Sequence, residues 1–116
     1  MHELSIVFHI ADTVEELAKE NKVKKVNKVV MQIGEVSMIV SPYLIDCWNW
    51  TASKRELLNG CEMVVEDIKA ITYCENCGQE YETVKYGKIC PHCGSEKTYL
   101  IRGQEINIKE IGVTDE

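Results

Sequence analysis

A chain of 116 residues, 45% of them hydrophobic, has room for one modest core and a small satellite, and not for several large domains. A net charge of −6 leaves no basic stripe of the kind that holds nucleic-acid phosphates, and around the cysteines Lys85, Lys88, Lys97 and Arg102 are offset by Glu75, Glu80, Glu82 and Glu96. Nucleic acid is therefore not an expected partner.

The chain opens Met1-His2-Glu3 without a basic segment and apolar run, and no apolar stretch is long enough to span a bilayer. The expectation is a cytoplasmic protein with reduced thiols and no membrane partner. From Leu4, apolar residues recur at Val7, Ile10, Ala11, Val14, Leu17 and Ala18, which predicts an amphipathic helix over about 4–20. Val26, Val29, Val30, Met31 and Ile33 before Gly34 predict a strand. Ser41-Pro42 signals a second helix, with Ser41 as N-cap and Pro42 in the first turn. Leu44, Ile45, Cys47, Trp48 and Thr51 are its core candidates, and Asn59-Gly60 marks where it must stop, as far on as Leu58. Cys61 to Ile68 predicts a second strand, and Ile106, Ile108 and Ile111 a third, with Asn107 and Lys109 on its other face.

Between the last two strands lie Cys74-Glu75-Asn76-Cys77-Gly78 and Cys90-Pro91-His92-Cys93-Gly94. A two-residue gap lets both thiolates of a pair face one ion, and the following glycine can take the positive φ that turns backbone N–H groups towards sulfur. Four thiolates about 2.3 Å from an ion describe a closed structural zinc site. Two disulfides and a rubredoxin-like iron site are the competing readings. The expected fold is α+β: a small three-stranded sheet packed with two helices, plus an inserted zinc-ribbon-like lobe carrying two C-x2-C knuckles. Residues 1–69 and 103–116 would form the α/β domain and 70–102 the zinc-binding domain.

The first three residues carry a second candidate. The Met1 amine, the His2 amide nitrogen and the His2 imidazole can close adjacent chelate rings around one ion, with a further amide or Glu3 completing a plane that suits Ni(II) or Cu(II). A helix start assists, because its first N–H groups lack intrahelical partners and its positive dipole end disfavours an ammonium. A plain surface histidine is the competing reading of the residues alone.

The opening MHELSI, the Gly34-Glu35-Val36-Ser37 turn, the two knuckles and the closing isoleucine-rich strand resemble the HypA/HybF family of nickel-insertion accessory proteins for NiFe hydrogenase maturation. The resemblance spans essentially the whole chain. It implies a nickel metallochaperone and not an enzyme, with transient Ni(II) at His2, Met1 and Glu3 and structural Zn(II) at Cys74, Cys77, Cys90 and Cys93. It also implies a GTPase partner, HypB, delivery to the large subunit of NiFe hydrogenase, and in some organisms service to urease maturation; a monomer or weak homodimer is expected. Where some relatives place a histidine after the second cysteine of a knuckle, this chain has Gly78 and Gly94. His9 and His92 read as surface residues, Cys47 and Cys61 as small buried hydrophobes, Trp48 and Trp50 as core and surface, and Glu35 as either a turn carboxylate or an added ligand. A zinc-ribbon adaptor without nickel and a rubredoxin-like electron carrier are the alternative functions.

Overall fold

Helix α1 spans Glu3–Glu20 in the computed structural model, which describes residues 3–114. Val7, Ile10, Ala11, Val14 and Ala18 are buried on one face, at the spacing the sequence predicts, while Leu4 and Leu17 at the edges of that face stay 41% exposed. The helix closes with Val23 N–H donating to the Ala18 carbonyl and Lys22 N–H to that of Lys19, with Lys22 in the left-handed region at φ 56°. That is a Schellman-type stop made without glycine. Strand β1, Lys25–Gly34, follows and buries Val26, Val29, Val30, Met31 and Ile33, the near-continuous apolar run of a strand covered on both faces.

Helix α2 spans Ser41–Ser53, and here the predicted start shifts by one residue. Val40 occupies the cap position, its carbonyl accepts from Leu44 N–H, and no side chain caps the helix from within. Pro42 falls in the first turn, where a missing N–H costs nothing. The cap is supplied from α1: Glu3 Oε2 accepts the Val40 N–H at 3.2 Å, placing a carboxylate at the positive end of α2. Arg55 bonds Asp12 and Glu15 of α1 beyond the far end of α2, so the two helices run side by side in the same direction. That same Arg55 takes an extended backbone, φ −121° and ψ 125°, which ends α2 before Leu58; Glu56–Leu58 form a separate 3-10 turn.

Leu44, Trp48, Thr51 and Ala52 are the buried face of α2, while Ile45 and Cys47 are half-buried. Trp48 is fully enclosed, and its indole N–H donates to the Cys61 carbonyl at 3.1 Å. Strands β2 (Glu62–Ile68) and β6 (Ile106–Thr114) flank β1 in the order β2-β1-β6, which is the expected three-stranded sheet.

The intervening chain forms a second antiparallel sheet, β4-β3-β5, from β3 (Ile71–Cys74), β4 (Glu80–Glu82) and β5 (Thr98–Arg102), with a single helical turn α3 at Thr83–Tyr86. Register pairs Thr72 with Tyr81 and Cys74 with Thr98, with an irregularity between Ile71 and Thr72. The chain divides into two compact units: residues 1–32, 39–66 and 107–116 make one, and residues 33–38 with 67–106 the other. In the second unit the Gly34-Glu35-Val36-Ser37 turn clasps the chain on both sides of the metal-binding region. Gly34 N–H donates to the Glu105 carbonyl, Glu35 N–H to that of Ile68 and Val36 N–H to that of Gly103, all at 2.8 Å. The Glu35 carboxylate accepts Ala70 N–H at 2.9 Å, so Glu35 serves the turn. A Cβ on Gly34 would lie 2.0 Å from the Gly103 carbonyl oxygen, which is why no side chain fits there.

Candidate metal centre

Two copies of one turn build the centre. In the first, Cys74 N–H donates to the Gln79 carbonyl and Gly78 N–H returns to the Cys74 carbonyl; in the second, Cys90 N–H donates to Ser95 and Gly94 N–H returns to Cys90, all between 2.8 and 3.0 Å. Gly78 and Gly94 take φ of 73° and 75°, the left-handed conformation that side-chain-bearing residues avoid. Each turn therefore buries its first cysteine and exposes its second: Cys74 and Cys90 are enclosed, Cys77 and Cys93 face outward.

The four sulfurs lie within 4.8 Å of one another, with Cys74 to Cys93 and Cys77 to Cys90 each at 3.6 Å. Tetrahedral zinc–thiolate bonds of about 2.3 Å require sulfurs about 3.8 Å apart, so this cage fits a zinc-sized ion. Both 3.6 Å contacts bridge the two knuckles and are far too long for disulfide bonds, and all six cysteines are free. Asn76 Nδ2 donates to Cys93 Sγ at 3.5 Å, and His92 N–H to Cys90 Sγ at 3.4 Å. The Asn76 amide, with the backbone N–H of Ser95, brings the Cys93 thiol down to about 6. Cys77 is pushed up to about 12 by desolvation and by the three neighbouring thiols, against the pull of its backbone bond to Gln79. A divalent cation supplies the positive charge that lets all four become thiolates together.

Support around the cage comes from residues that sequence reasoning did not single out. Tyr81 packs with Cys74 and Cys90 as the buried cluster of this unit, its hydroxyl donating to the Gly87 carbonyl at 2.8 Å. Thr98 Oγ1 donates to the Lys88 carbonyl at 2.6 Å, and Glu75 N–H to that of Lys97, so the start of β5 and the residue before it hold both knuckles. Asn76 had a legible signal, an amide between two ligands; Thr98 had none, because its partner is a backbone carbonyl ten residues away in sequence.

Of the other candidates, Met1 and His2 lie outside the described residues, and Glu3 begins α1. His9 and His92 are exposed, and neither joins the cysteine group. Cys61 is buried and Cys47 half-buried. Among the described residues the four cysteines are the one cluster of three or more potential ligands close enough to share an ion, and no helix is long and apolar enough to cross a membrane.

A small α+β fold with a four-cysteine cage defines a protein able to hold one metal ion among four thiols. A family model described as hydrogenase/urease nickel incorporation, metallochaperone, matches residues 1–113. The chain belongs to this HypA family of nickel-incorporation metallochaperones. Similar proteins include a hydrogenase maturation factor HypA from Aquifex aeolicus, 36% identical over 96% of each chain, and another from Psychromonas ingrahamii, 34% identical over 97% of this chain and 98% of that one. The fold is also that of the solution structure of the Ni metallochaperone HypA from Helicobacter pylori, with a TM-score of 0.73 over the whole of both chains at 24% identity. Membership accounts for α1, β1 and α2, which a rubredoxin-like carrier leaves without a purpose.

Proposed function

We propose that this chain carries Ni(II) as cargo on its first three residues and keeps Zn(II) in the Cys74, Cys77, Cys90, Cys93 cage as a resident structural ion. The Met1 amine and the His2 amide and imidazole supply three nickel ligands, and a backbone nitrogen or the carboxylate of Glu3 completes the plane. On this reading residues 1–69 and 103–116 are the nickel-binding domain and residues 70–102 the zinc-binding domain. The observation that carries the reading is the family match across residues 1–113, which spans both sites. One local feature supports it: α1 begins at Glu3, so the candidate ligands adjoin N–H donors without intrahelical partners.

The two sites suit different tasks. Four convergent thiolates retain an ion, while ligands at a chain end are displaced one at a time by incoming thiolates, which is what delivery needs. The protein acts by holding and passing an ion and makes no bond of its own in a substrate. Its cargo goes, in the cytoplasm, to the large subunit of a NiFe hydrogenase with a HypB-type GTPase as the cooperating partner, and to urease maturation where that enzyme is present. Amine and imidazole must lose protons to bind, so nickel affinity falls with acid.

Metal content per chain after nickel exposure and dialysis tests this on untagged protein, on His2→Ala and on protein with one glycine added before Met1. Zinc retained by all three and nickel by the untagged chain alone is the expected result. Equal nickel in all three places the cargo site elsewhere.

A further inference from the structure

The net charge of −6 is unevenly spread. Residues 19–28 hold five of the chain's 13 lysines and arginines against one acid, Glu20, a local charge of +4. Lys19, Lys22, Lys24, Lys25 and Lys28 are all exposed, and among the described residues no ion pair joins any of them to a carboxylate. Where α1 gives way to β1, this stretch borders a groove of about 450 Å³. Buried Val14 and Ala18 form its floor, and Leu17, Val23, Ile111 and Val113 its walls. Val23 also lines a second hollow of about 350 Å³, which Lys19 and Lys24 share with Glu15, Glu56 and Leu57. Glu15 is already taken up by Arg55. Ile111 and Val113 belong to β6, the outer strand of the sheet β2-β1-β6, so among the described residues no strand covers its far side.

We propose that this corner is a docking site for an extended acidic segment of a partner protein. An apolar side chain of that segment sits among Leu17, Val23, Ile111 and Val113, and its carboxylates meet Lys19, Lys22 and Lys24. The charge selects the occupant. An open apolar groove accepts any apolar segment, but unpaired ammonium groups beside it favour one that brings anions and repel one that brings cations. Nucleic acid would use the lysines and leave the aliphatic walls without a role, since its affinity comes from phosphate contacts. A membrane surface is met by apolar side chains that project into it, whereas a groove receives a side chain. The ion pairs are solvent-exposed, so the contact is weak and loosens as salt rises.

Amide NMR titration of the zinc-loaded, nickel-free full chain tests this with a synthetic peptide in which a pair of leucines is flanked on each side by a pair of glutamates. Nickel is absent, so the outcome does not depend on the cargo reading. Perturbed amides should fall within residues 17–25 and 111–113. Exchanging the peptide's glutamates for glutamine, or combining Lys22→Gln with Lys24→Gln in the protein, should weaken binding about fivefold, as expected for two lost exposed ion pairs. Lys22→Arg with Lys24→Arg keeps the charge and should stay within about twofold. Leu17→Ala should cost about threefold through lost apolar contact. Lys85→Gln, an exposed lysine of the other unit, should change nothing. All these positions are exposed, and far-UV circular dichroism with zinc content verifies folding. No perturbation up to millimolar peptide, perturbations centred elsewhere, or equal binding of the glutamine peptide overturns the proposal. So does a single-stranded oligonucleotide or a phosphatidylserine vesicle that perturbs this corner at lower concentration than the peptide, and the corner then belongs to that class of partner.

Discussion

The two units of this chain are held by different forces. In the unit of α1, β1, α2, β2 and β6, Val7, Val14, Val26, Val29, Leu44 and Trp48 all have zero exposure, and charges lie at the periphery. In the unit of β3, β4 and β5 the buried cluster is Cys74, Tyr81 and Cys90, while residues 75–80 and 84–89 are exposed throughout. The first is closed by apolar area, at roughly 25 cal/mol for each Å² removed from water, and the second has almost no such area to remove. A segment of this size with so small a buried cluster needs a staple, and four cysteines close enough to share one ion are placed to supply it. The consequence is functional as well as structural: an ion that holds a fold together is a poor candidate for cargo.

Removing zinc breaks the comparison at its weakest point and should give the largest effect. Small zinc modules owe on the order of 10 kcal/mol of folding free energy to the metal. With a strong chelator, amide resonances of residues 71–102 should collapse towards unfolded positions while those of α1 and α2 stay dispersed, and Cys90→Ser should do the same without chelator. Loss of α1 and α2 signals together with the rest would make the metal the support of both units. The converse change is Trp48→Ala, which empties the centre of the apolar unit and leaves the Cys61 carbonyl without its donor. It should cost about 3–5 kcal/mol by urea denaturation, with one zinc per chain still bound.

How much of this contrast was legible in sequence follows the same division. Period-3.6 and β-branched patterns act locally, so α1, β1, α2 and the flanking strands were readable, with errors at ends where a distant side chain intervened. Val40 became the cap because Glu3, 37 residues away, supplies the carboxylate, and α2 stopped early because Arg55 turns out to reach Asp12 and Glu15. The cage was readable because C-x2-C-G is a complete local instruction for one turn. The second sheet was not: Glu80, Tyr81 and Glu82 show no apolar run, and β4 exists because β3 offers it an edge. His2 and Met1 lie outside the described residues, so the nickel ligands rest on sequence and family alone.

The Gly34 turn offers a sharper probe of the metal-bearing unit, since it ties together the chain before and after the knuckles with three backbone hydrogen bonds and the Glu35 carboxylate. Gly34→Ala puts a methyl group 2.0 Å from the Gly103 carbonyl oxygen and 2.6 Å from the Gln104 nitrogen, both backbone atoms that cannot rotate aside. Displacing them should cost about 1–3 kcal/mol, the range of overpacked sites. Hydrogen exchange at Val36 and Ala70 should accelerate, because those amides donate into the clasp. Unchanged exchange there would mean that the clasp contributes nothing to holding the unit closed.

The smallest expected effect reads the apolar unit through pH. Burial pushes the Cys61 thiol up to about 11 from its ordinary 9.0, Glu62 adds to the rise, and the Trp48 contact opposes it. The folded chain thus keeps this proton where the unfolded chain gives it up. A raised folded value contributes stability that is fully present below pH 9 and is lost as pH climbs through 11. Cys61→Ala removes this contribution and also a little packing, so below pH 9 the variant should be the less stable of the two, by about 1 kcal/mol. Between pH 9 and 11 the native chain should lose stability faster than the variant and by more than this margin, so the two urea midpoints should converge and then cross. Lysines, tyrosines and the zinc-bound cysteines titrate alike in both proteins, so they cancel in the difference. Midpoints that stay parallel across that window would show that the Cys61 site is wet when folded, and with it that the apolar unit is less tightly closed around Trp48 than its zero exposure implies.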